Sequence, residues 1–149
     1  MSLEVGNTVP DFSLVTDNGK PFKLSSKIKN KVLLVFYPGD GTPICANQFN
    51  DYKMSVDKFK DLKVELIGIS TNDSQSHKLF KNKNDLPFTL LSDSDAKVSK
   101  EYDCYGWFGV KRGVFLIDKD MELKYSYIES VSIFKRTASE LIEAIKKHS

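Results

Sequence analysis

The sequence contains few thiols and few imidazoles, with two cysteines and two histidines among its 149 residues. Two isolated histidines without a cysteine cluster do not provide the four ligands of a structural zinc site, and two cysteines far apart do not form a disulfide framework. The chain also has no run of about 18 apolar residues, which a membrane-spanning helix needs. The 22 basic and 20 acidic residues nearly cancel, leaving a net charge of +2. The composition therefore argues against a nucleic-acid or membrane partner.

The first residues have neither the basic segment nor the apolar core of a secretory signal. Together with the two separated cysteines, this predicts a cytoplasmic protein in a reducing compartment, with thiol chemistry rather than disulfides. No internal repeat, low-complexity segment or linker divides the chain. A length of 149 residues is ordinary for one domain with its own core, so we expect a single domain over residues 1–149.

The apolar pattern predicts an α/β fold, with a mixed central β-sheet flanked by helices on both faces and an N-terminal β-hairpin. Strands are expected at residues 12–15, 22–24, 32–37, 64–69, 88–91, 114–117 and 123–128. Helices are expected at residues 46–59 and 74–83, in a short segment ending at residue 102, and at 137–147. Reactive loops of such folds lie beyond the carboxyl ends of the strands.

Cys45 lies at such a place, after the buried strand 32–37 and a loop rich in proline and glycine, and just before a predicted helix. Backbone N–H groups are unpaired at a helix N-terminus, and the helix dipole is positive there. Both effects favour the thiolate, which is the reactive form of cysteine. Cys45 is therefore the first candidate for chemistry.

Three other residues are candidates for the same site. Thr42, three residues before Cys45, can place a hydroxyl beside the sulfur or beside a bound oxygen. Pro38 stiffens the loop and removes an N–H donor. Arg112 carries a fixed positive charge into a later strand, where it would stabilise both the thiolate and an oxyanion leaving from a broken O–O bond.

The spacing Pro38-x-x-x-Thr42-x-x-Cys45, preceded by the apolar residues 35–37, resembles the peroxidatic loop of the peroxiredoxins. Further segments match that family in the same order along the chain: residues 5–12, 88–93 and 112–118. Four elements in the right order make the resemblance specific, and it covers nearly the whole chain. Within the AhpC/TSA-like proteins, the sequence most closely resembles the branch of the bacterioferritin comigratory protein, also called peroxiredoxin Q.

The resemblance implies a thioredoxin-like fold and an antioxidant thiol peroxidase that reduces hydrogen peroxide and alkyl hydroperoxides without a cofactor. It assigns the peroxidatic role to Cys45, through a sulfenic acid, and peroxide positioning to Thr42 and Arg112. It assigns shielding by the loop to Pro38. The partners implied are a hydroperoxide substrate and a thioredoxin-like protein or small thiol as reductant, and we expect a monomer or a weak homodimer.

The chain departs from that family at the positions where a second, resolving cysteine is common. Asn50 occupies one of them, and residues 77–81 of the next helix contain no cysteine. Gln48 stands where a glutamate is frequent. The only other thiol, Cys104, has aromatic neighbours and is interpreted as a packed small hydrophobe. We therefore expect one-cysteine chemistry, and a two-cysteine mechanism with Cys104 as the resolving thiol stays open.

Two other functions remain as alternatives. A thioredoxin-like thiol–disulfide oxidoreductase would need Cys-x-x-Cys, but residues 45–48 lack the second sulfur. A redox-inactive binding module or chaperone would have an unreactive Cys45 and an exposed apolar patch. Among the remaining side chains, His77 is interpreted as a solvated helix residue, and Trp107 and Phe108 as core residues, with a peroxide pocket or dimer contact as their alternative.

Overall fold

The computed structural model describes residues 3–107, 109–129 and 136–148. Within these ranges the strands are β1 (Ser13–Thr16), β2 (Pro21–Lys23), β3 (Lys31–Phe36), β4 (Val64–Ser70), β5 (Thr89–Ser92), β6 (Tyr105–Gly106), β7 (Gly109–Val110), β8 (Gly113–Ile117) and β9 (Leu123–Ile128). The helices are α1 (Leu24–Lys27), α2 (Pro43–Met54), α3 (Val56–Asp61), α4 (Ser74–Asn84), α5 (Lys97–Glu101) and α6 (Ala138–His148).

A seven-stranded sheet with the order β2-β1-β5-β4-β3-β8-β9 organises the molecule. Strands β3, β4 and β5 pair in parallel, whereas β8, β9, β1 and β2 join by antiparallel pairing. The mixed sheet and the N-terminal hairpin predicted from the sequence are confirmed. Strands β6 and β7 form a separate two-stranded ladder.

The core is divided into two layers by this sheet, because successive side chains of a strand point to opposite faces. On β3, Leu33 and Val35 pack in one layer, and Val32 and Leu34 pack in the other. Buried residues of α2, α3, α4 and α6 belong to the first layer, which we call the α2 face. Buried residues of α1 and α5 belong to the second, the α5 face. Helices therefore cover both faces, as predicted.

The predicted helix over residues 46–59 is wrong in one respect, because it is two helices that meet at Ser55. The backbone of Ser55 (φ −114°, ψ 17°) leaves the helical region, and its N–H donates to the carbonyl of Tyr52, three residues back, at 3.1 Å. A serine hydroxyl competes for backbone hydrogen bonds, which makes serine a weak helix former. Among the helices of the described ranges, none has the length and apolar content needed to span a bilayer.

Helix α2 lies close to β4 because a glycine occupies the contact. A Cβ atom at Gly68 would lie 2.9 Å from the ring of Phe49 on α2 and 2.7 Å from Leu90 on β5. A larger residue would force these side chains apart. The close approach brings the N-terminus of α2 to the end of the central strands, where the candidate site lies.

Candidate active site

Cys45 is the third residue of α2, and its exposed fraction is 0%. Thr42 is the N-cap of the helix, and its side-chain hydroxyl oxygen accepts a hydrogen bond from the Cys45 N–H at 3.2 Å. Pro43 at the first helical position has no N–H to leave unpaired. The thiol therefore sits in the first turn, where the field of the helix favours a negative charge.

Arg112 reaches the sulfur from the neighbouring strand. Its Nη1 donates to Cys45 Sγ at 3.2 Å and to the side-chain oxygen of Gln48 at 2.7 Å. Arg112 immediately precedes β8, on which Val114 and Leu116 face α2, so strand alternation directs Arg112 to the same side. The guanidinium is itself buried, so a positive charge lies in contact with the sulfur away from solvent.

Gln48 links the arginine to the body of the fold. Its amide nitrogen donates to the hydroxyl of Tyr52 at 2.9 Å, and that hydroxyl donates to the carbonyl of Arg136 at 2.7 Å. Gln48 thus holds the guanidinium of Arg112 without neutralising its charge. Sequence reasoning noted the missing glutamate but not this link, although Cys45, Gln48 and Tyr52 share one helix face by their spacing.

The remaining predicted site residues lie in the loop before α2. Thr42 Oγ1 is 3.5 Å from the carbonyl of Gly39, so the hydroxyl joins the loop to the helix start. Pro38 is half-buried at the beginning of that loop. The structure thus joins Cys45 by hydrogen bonds to Thr42 and Arg112, and Pro38 lies where the loop leaves β3.

Cys104 is on the other side of the sheet. It is fully buried in the α5 layer, whereas Cys45 belongs to the α2 layer. Burial raises the pKa of the Cys104 thiol far above its usual value, the charge of Asp103 adds to this, and Lys111 opposes it only in part. The sulfur packs against Gly113, where a Cβ atom would lie 2.4 Å away. This environment keeps Cys104 a neutral thiol.

Replacing Gly113 by alanine is expected to destabilise the protein by about 1–3 kcal/mol, because the added methyl collides with Cys104 Sγ. Removing the sulfur in Cys104→Ala provides space, so the double variant should lose less than the sum of the two single variants. A double-mutant cycle from urea unfolding measures the coupling, expected at about 0.5–3 kcal/mol. Strictly additive losses would contradict the packing described.

A buried polar cluster beside the loop was missed by sequence reasoning. His77 on α4 was interpreted as solvated, and this is wrong, because its exposed fraction is 0%. Its Nδ1 lies 2.8 Å from the carboxylate of Asp40 in the loop, and its Nε2 lies 2.9 Å from the carbonyl of Leu91 on β5. The hydroxyl of Tyr37 donates to the same carboxylate at 2.6 Å.

The acid–base properties of this cluster follow from its partners. Burial by itself would raise the pKa of Asp40, but hydrogen bonds from His77 and Tyr37 outweigh it and hold that pKa below its usual range. Burial, reinforced by the charge of Asp40, raises the pKa of Tyr37 well above its usual value. Asp40 is therefore a carboxylate and Tyr37 a neutral donor at physiological pH.

The interpretation of Trp107 as a core residue is wrong, because its exposed fraction is 100%. It follows the short strand β6 and belongs to neither core layer. Phe108, its neighbour, lies outside the described residues. Among the residues that the structure describes, no group of three histidine, cysteine, aspartate or glutamate side chains is placed to hold a metal ion.

Residues 5–126 match the model of the AhpC/TSA family. The chain is 35% identical over 131 residues to Peroxiredoxin Bcp of Bacillus subtilis, covering 83% of each protein. It is 42% identical over 125 residues to the chloroplastic Peroxiredoxin Q of Arabidopsis thaliana, covering 82% of this chain but only 58% of that relative. The structure of Peroxidoxin BcpB from Mycobacterium tuberculosis superposes with a TM-score of 0.85 at 27% identity, over 97% of this chain and 95% of the other.

Proposed function

Because the chain belongs to the AhpC/TSA family and, within it, to the Bcp/peroxiredoxin Q subfamily of thiol peroxidases, we propose that Cys45 is its peroxidatic residue. The observation that carries this assignment is the contact of 3.2 Å between Arg112 Nη1 and the buried sulfur. The position of Cys45 in the first turn of α2 supports it as well. The thioredoxin-like fold of the family agrees with the mixed sheet and the helices on both its faces.

In the first step the Cys45 thiolate attacks the terminal oxygen of hydrogen peroxide or an alkyl hydroperoxide. An S–O bond forms as the O–O bond breaks, so the sulfur is oxidised by two electrons to a sulfenic acid. The other peroxide oxygen leaves as hydroxide or alkoxide and takes up a proton, giving water or an alcohol. Arg112 stabilises the attacking thiolate and the departing oxyanion through its charge. Thr42 holds the turn that presents the sulfur, and Pro38 shields it.

In the second step an external thiol attacks the sulfenic sulfur and releases water, which leaves a mixed disulfide. A second thiol then restores the Cys45 thiol and carries away the disulfide. A thioredoxin-like protein or a small thiol supplies these electrons.

We propose that Cys104 takes no part in this cycle. The sheet separates it from Cys45, and its burial keeps it protonated and unreactive. Formation of an internal disulfide would require the two Cα atoms to come within about 7 Å, through the sheet that carries Arg112 and Gly113. One-cysteine chemistry with an external reductant therefore agrees better with the separation of the two cysteines than a two-cysteine mechanism does.

Mass analysis under non-reducing conditions tests this assignment after treatment with one equivalent of hydrogen peroxide. We expect the wild type and Cys104→Ala each to gain one oxygen atom. A carbon nucleophile specific for sulfenic acids should then form a thioether at Cys45 and release that oxygen as water. The opposing result is a wild-type product that has lost two hydrogen atoms, with the loss absent from Cys104→Ala. That outcome would establish an internal disulfide and a two-cysteine mechanism.

We further propose that the chain acts as one domain in the cytoplasm, as a monomer or weak homodimer. The two cysteines lie in different core layers and are not placed to pair with each other, which suits a reducing compartment.

A further inference from the structure

The loop between β3 and α2 must satisfy two opposite demands, if Cys45 has the proposed role. The peroxide reaction needs the sulfur, the Thr42 cap and Arg112 held in one arrangement. The reductant then needs access to the oxidised sulfur, yet Cys45 has an exposed fraction of 0%. A thiol reductant, which is larger than hydrogen peroxide, can reach it only after the loop or the first turn of α2 has moved. The residues that fasten the loop therefore set the balance between the two steps.

The loop is fastened at Asp40, from two sides. Its backbone N–H donates to the side-chain oxygen of Asn72 at 3.0 Å. The preceding residue is a glycine, and a Cβ atom at Gly39 would lie 3.3 Å from the same oxygen. Its carboxylate receives hydrogen bonds from Ser76 Oγ at 2.8 Å and from His77 Nδ1 at 2.8 Å. Ser76 and His77 are on α4, so the carboxylate joins the loop to that helix.

His77 continues the connection to the sheet. Its Nε2 faces the carbonyl of Leu91, and Leu91 pairs in the register with Ile69 on one side and Thr16 on the other. The carboxylate of Asp40 and the carbonyl of Leu91 both face ring nitrogens of His77, so the imidazole connects the loop to the sheet through its two nitrogens. Breaking either contact would leave a buried polar group without its hydrogen-bond partner, which is costly, so the two contacts hold the loop in place.

We propose that Asp40 and His77 form a latch that positions the loop of residues 38–44 for the peroxide step and must release for reduction. Both are positioning residues, since neither touches the reacting sulfur in the structure. The inference rests on the proposed function, because it assigns the latch to the peroxidase cycle of Cys45.

The test uses three variants of the full chain. His77→Leu removes both hydrogen bonds at similar volume, and His77→Asn keeps a donor toward Asp40. Lys81→Gln is the matched control, because Lys81 is on the same helix and pairs with Asp17 at 3.2 Å, away from the loop. For each variant, stopped-flow oxidation by hydrogen peroxide, reduction of the preformed sulfenic acid by dithiothreitol and hydrogen exchange of residues 39–46 are measured.

We expect His77→Leu to slow the oxidation by about 10- to 100-fold, the usual cost of displacing a positioned group. The same variant should speed the reduction by dithiothreitol and the hydrogen exchange of the loop. His77→Asn should recover part of the oxidation rate, and Lys81→Gln should match the wild type in all three measurements. A merely structural role for His77 would lower stability without this opposite shift of the two steps.

The latch is overturned if His77→Leu folds and its two rates and loop exchange equal those of Lys81→Gln. If His77→Leu does not fold, His77→Asn decides, because it loses the contact with Leu91 and should still show a smaller opposite shift of the two rates. Both rates and the loop exchange equal to those of Lys81→Gln would then contradict the latch. Failure of the proposed function is recognised separately, because the wild type would then not be oxidised at Cys45 while the exchange measurement would still report on the loop.

Discussion

Cys45→Ser is expected to lower peroxide consumption by at least about 10³-fold, well within the 10⁶-fold or more that enzymes supply. The hydroxyl replaces the thiol with little change of volume and can still accept a hydrogen bond from Arg112. It is too weakly acidic, however, to provide the anion that attacks an O–O bond. Consumption is measured with a peroxide-sensitive dye in the presence of dithiothreitol, and thermal unfolding verifies that the variant is folded.

Cys104→Ala is the control for that experiment, because it removes the other thiol from the chain. It should retain peroxide consumption within about twofold of the wild type, while losing some stability through the cavity it leaves. Undiminished consumption by Cys45→Ser would remove the basis for the peroxidatic assignment. A large loss of activity in Cys104→Ala, with the fold intact, would show that Cys104 on the α5 face takes part in the reaction.

Arg112→Met is expected to lower the rate of Cys45 oxidation by about 10²- to 10³-fold, the range found when one transition-state donor is removed. The variant loses the charge at 3.2 Å from the sulfur and leaves the Gln48 side-chain oxygen without the donor at 2.7 Å. Arg112→Lys keeps a positive charge but not the guanidinium whose Nη1 donates to both acceptors. Its oxidation rate should therefore lie between those of the wild type and Arg112→Met. Single-turnover stopped flow with hydrogen peroxide measures all three proteins.

Alkylation of Cys45 by iodoacetamide at mildly acidic pH separates the two effects of Arg112. Iodoacetamide needs the thiolate but has no O–O bond to polarise. We expect Arg112→Met to slow alkylation by less than it slows oxidation, because only the thiolate population is affected. Oxidation and alkylation at wild-type rates in Arg112→Met would show that the contact in the structure has no chemical consequence.

The central part of the fold was predictable because its signals are local. Strands β3, β4 and β8 are apolar runs, and α2 and α6 carry apolar residues at helical spacing. The break at Ser55 was not predictable in the same way, since the apolar period continues through it to Phe59, which is buried as expected. The loss of one backbone hydrogen bond leaves no trace in a hydrophobic pattern.

The candidate site was predictable only in part, for a similar reason. The position of Cys45 near the junction of a buried strand, a loop and a helix is a local feature, and the structure agrees with it. The helix begins at Pro43, however, so Cys45 lies in its first turn rather than before it. His77 was misread because its partner, Asp40, is 37 residues away and most of the side chains around it in α4 are polar. A buried hydrogen bond between residues far apart in the chain depends on long-range packing, and no spacing within one helix indicates it. The roles of Cys45, Thr42, Arg112 and Pro38 stay predictions until the variants are measured.

The division of the core by the sheet has a consequence for residues far from the sulfur. Arg112 and Gly113 are adjacent, yet Arg112 faces the α2 layer and Gly113 faces the α5 layer. The pairing of Gly113 with Phe36 on β3 fixes these orientations. A slip of one residue between these strands would exchange their orientations and turn the guanidinium away from Cys45. The contact between Arg112 and Cys45 therefore depends on the register of β3 and β8. Substitutions that shift this register should lower the reactivity of Cys45 without changing any residue of the site.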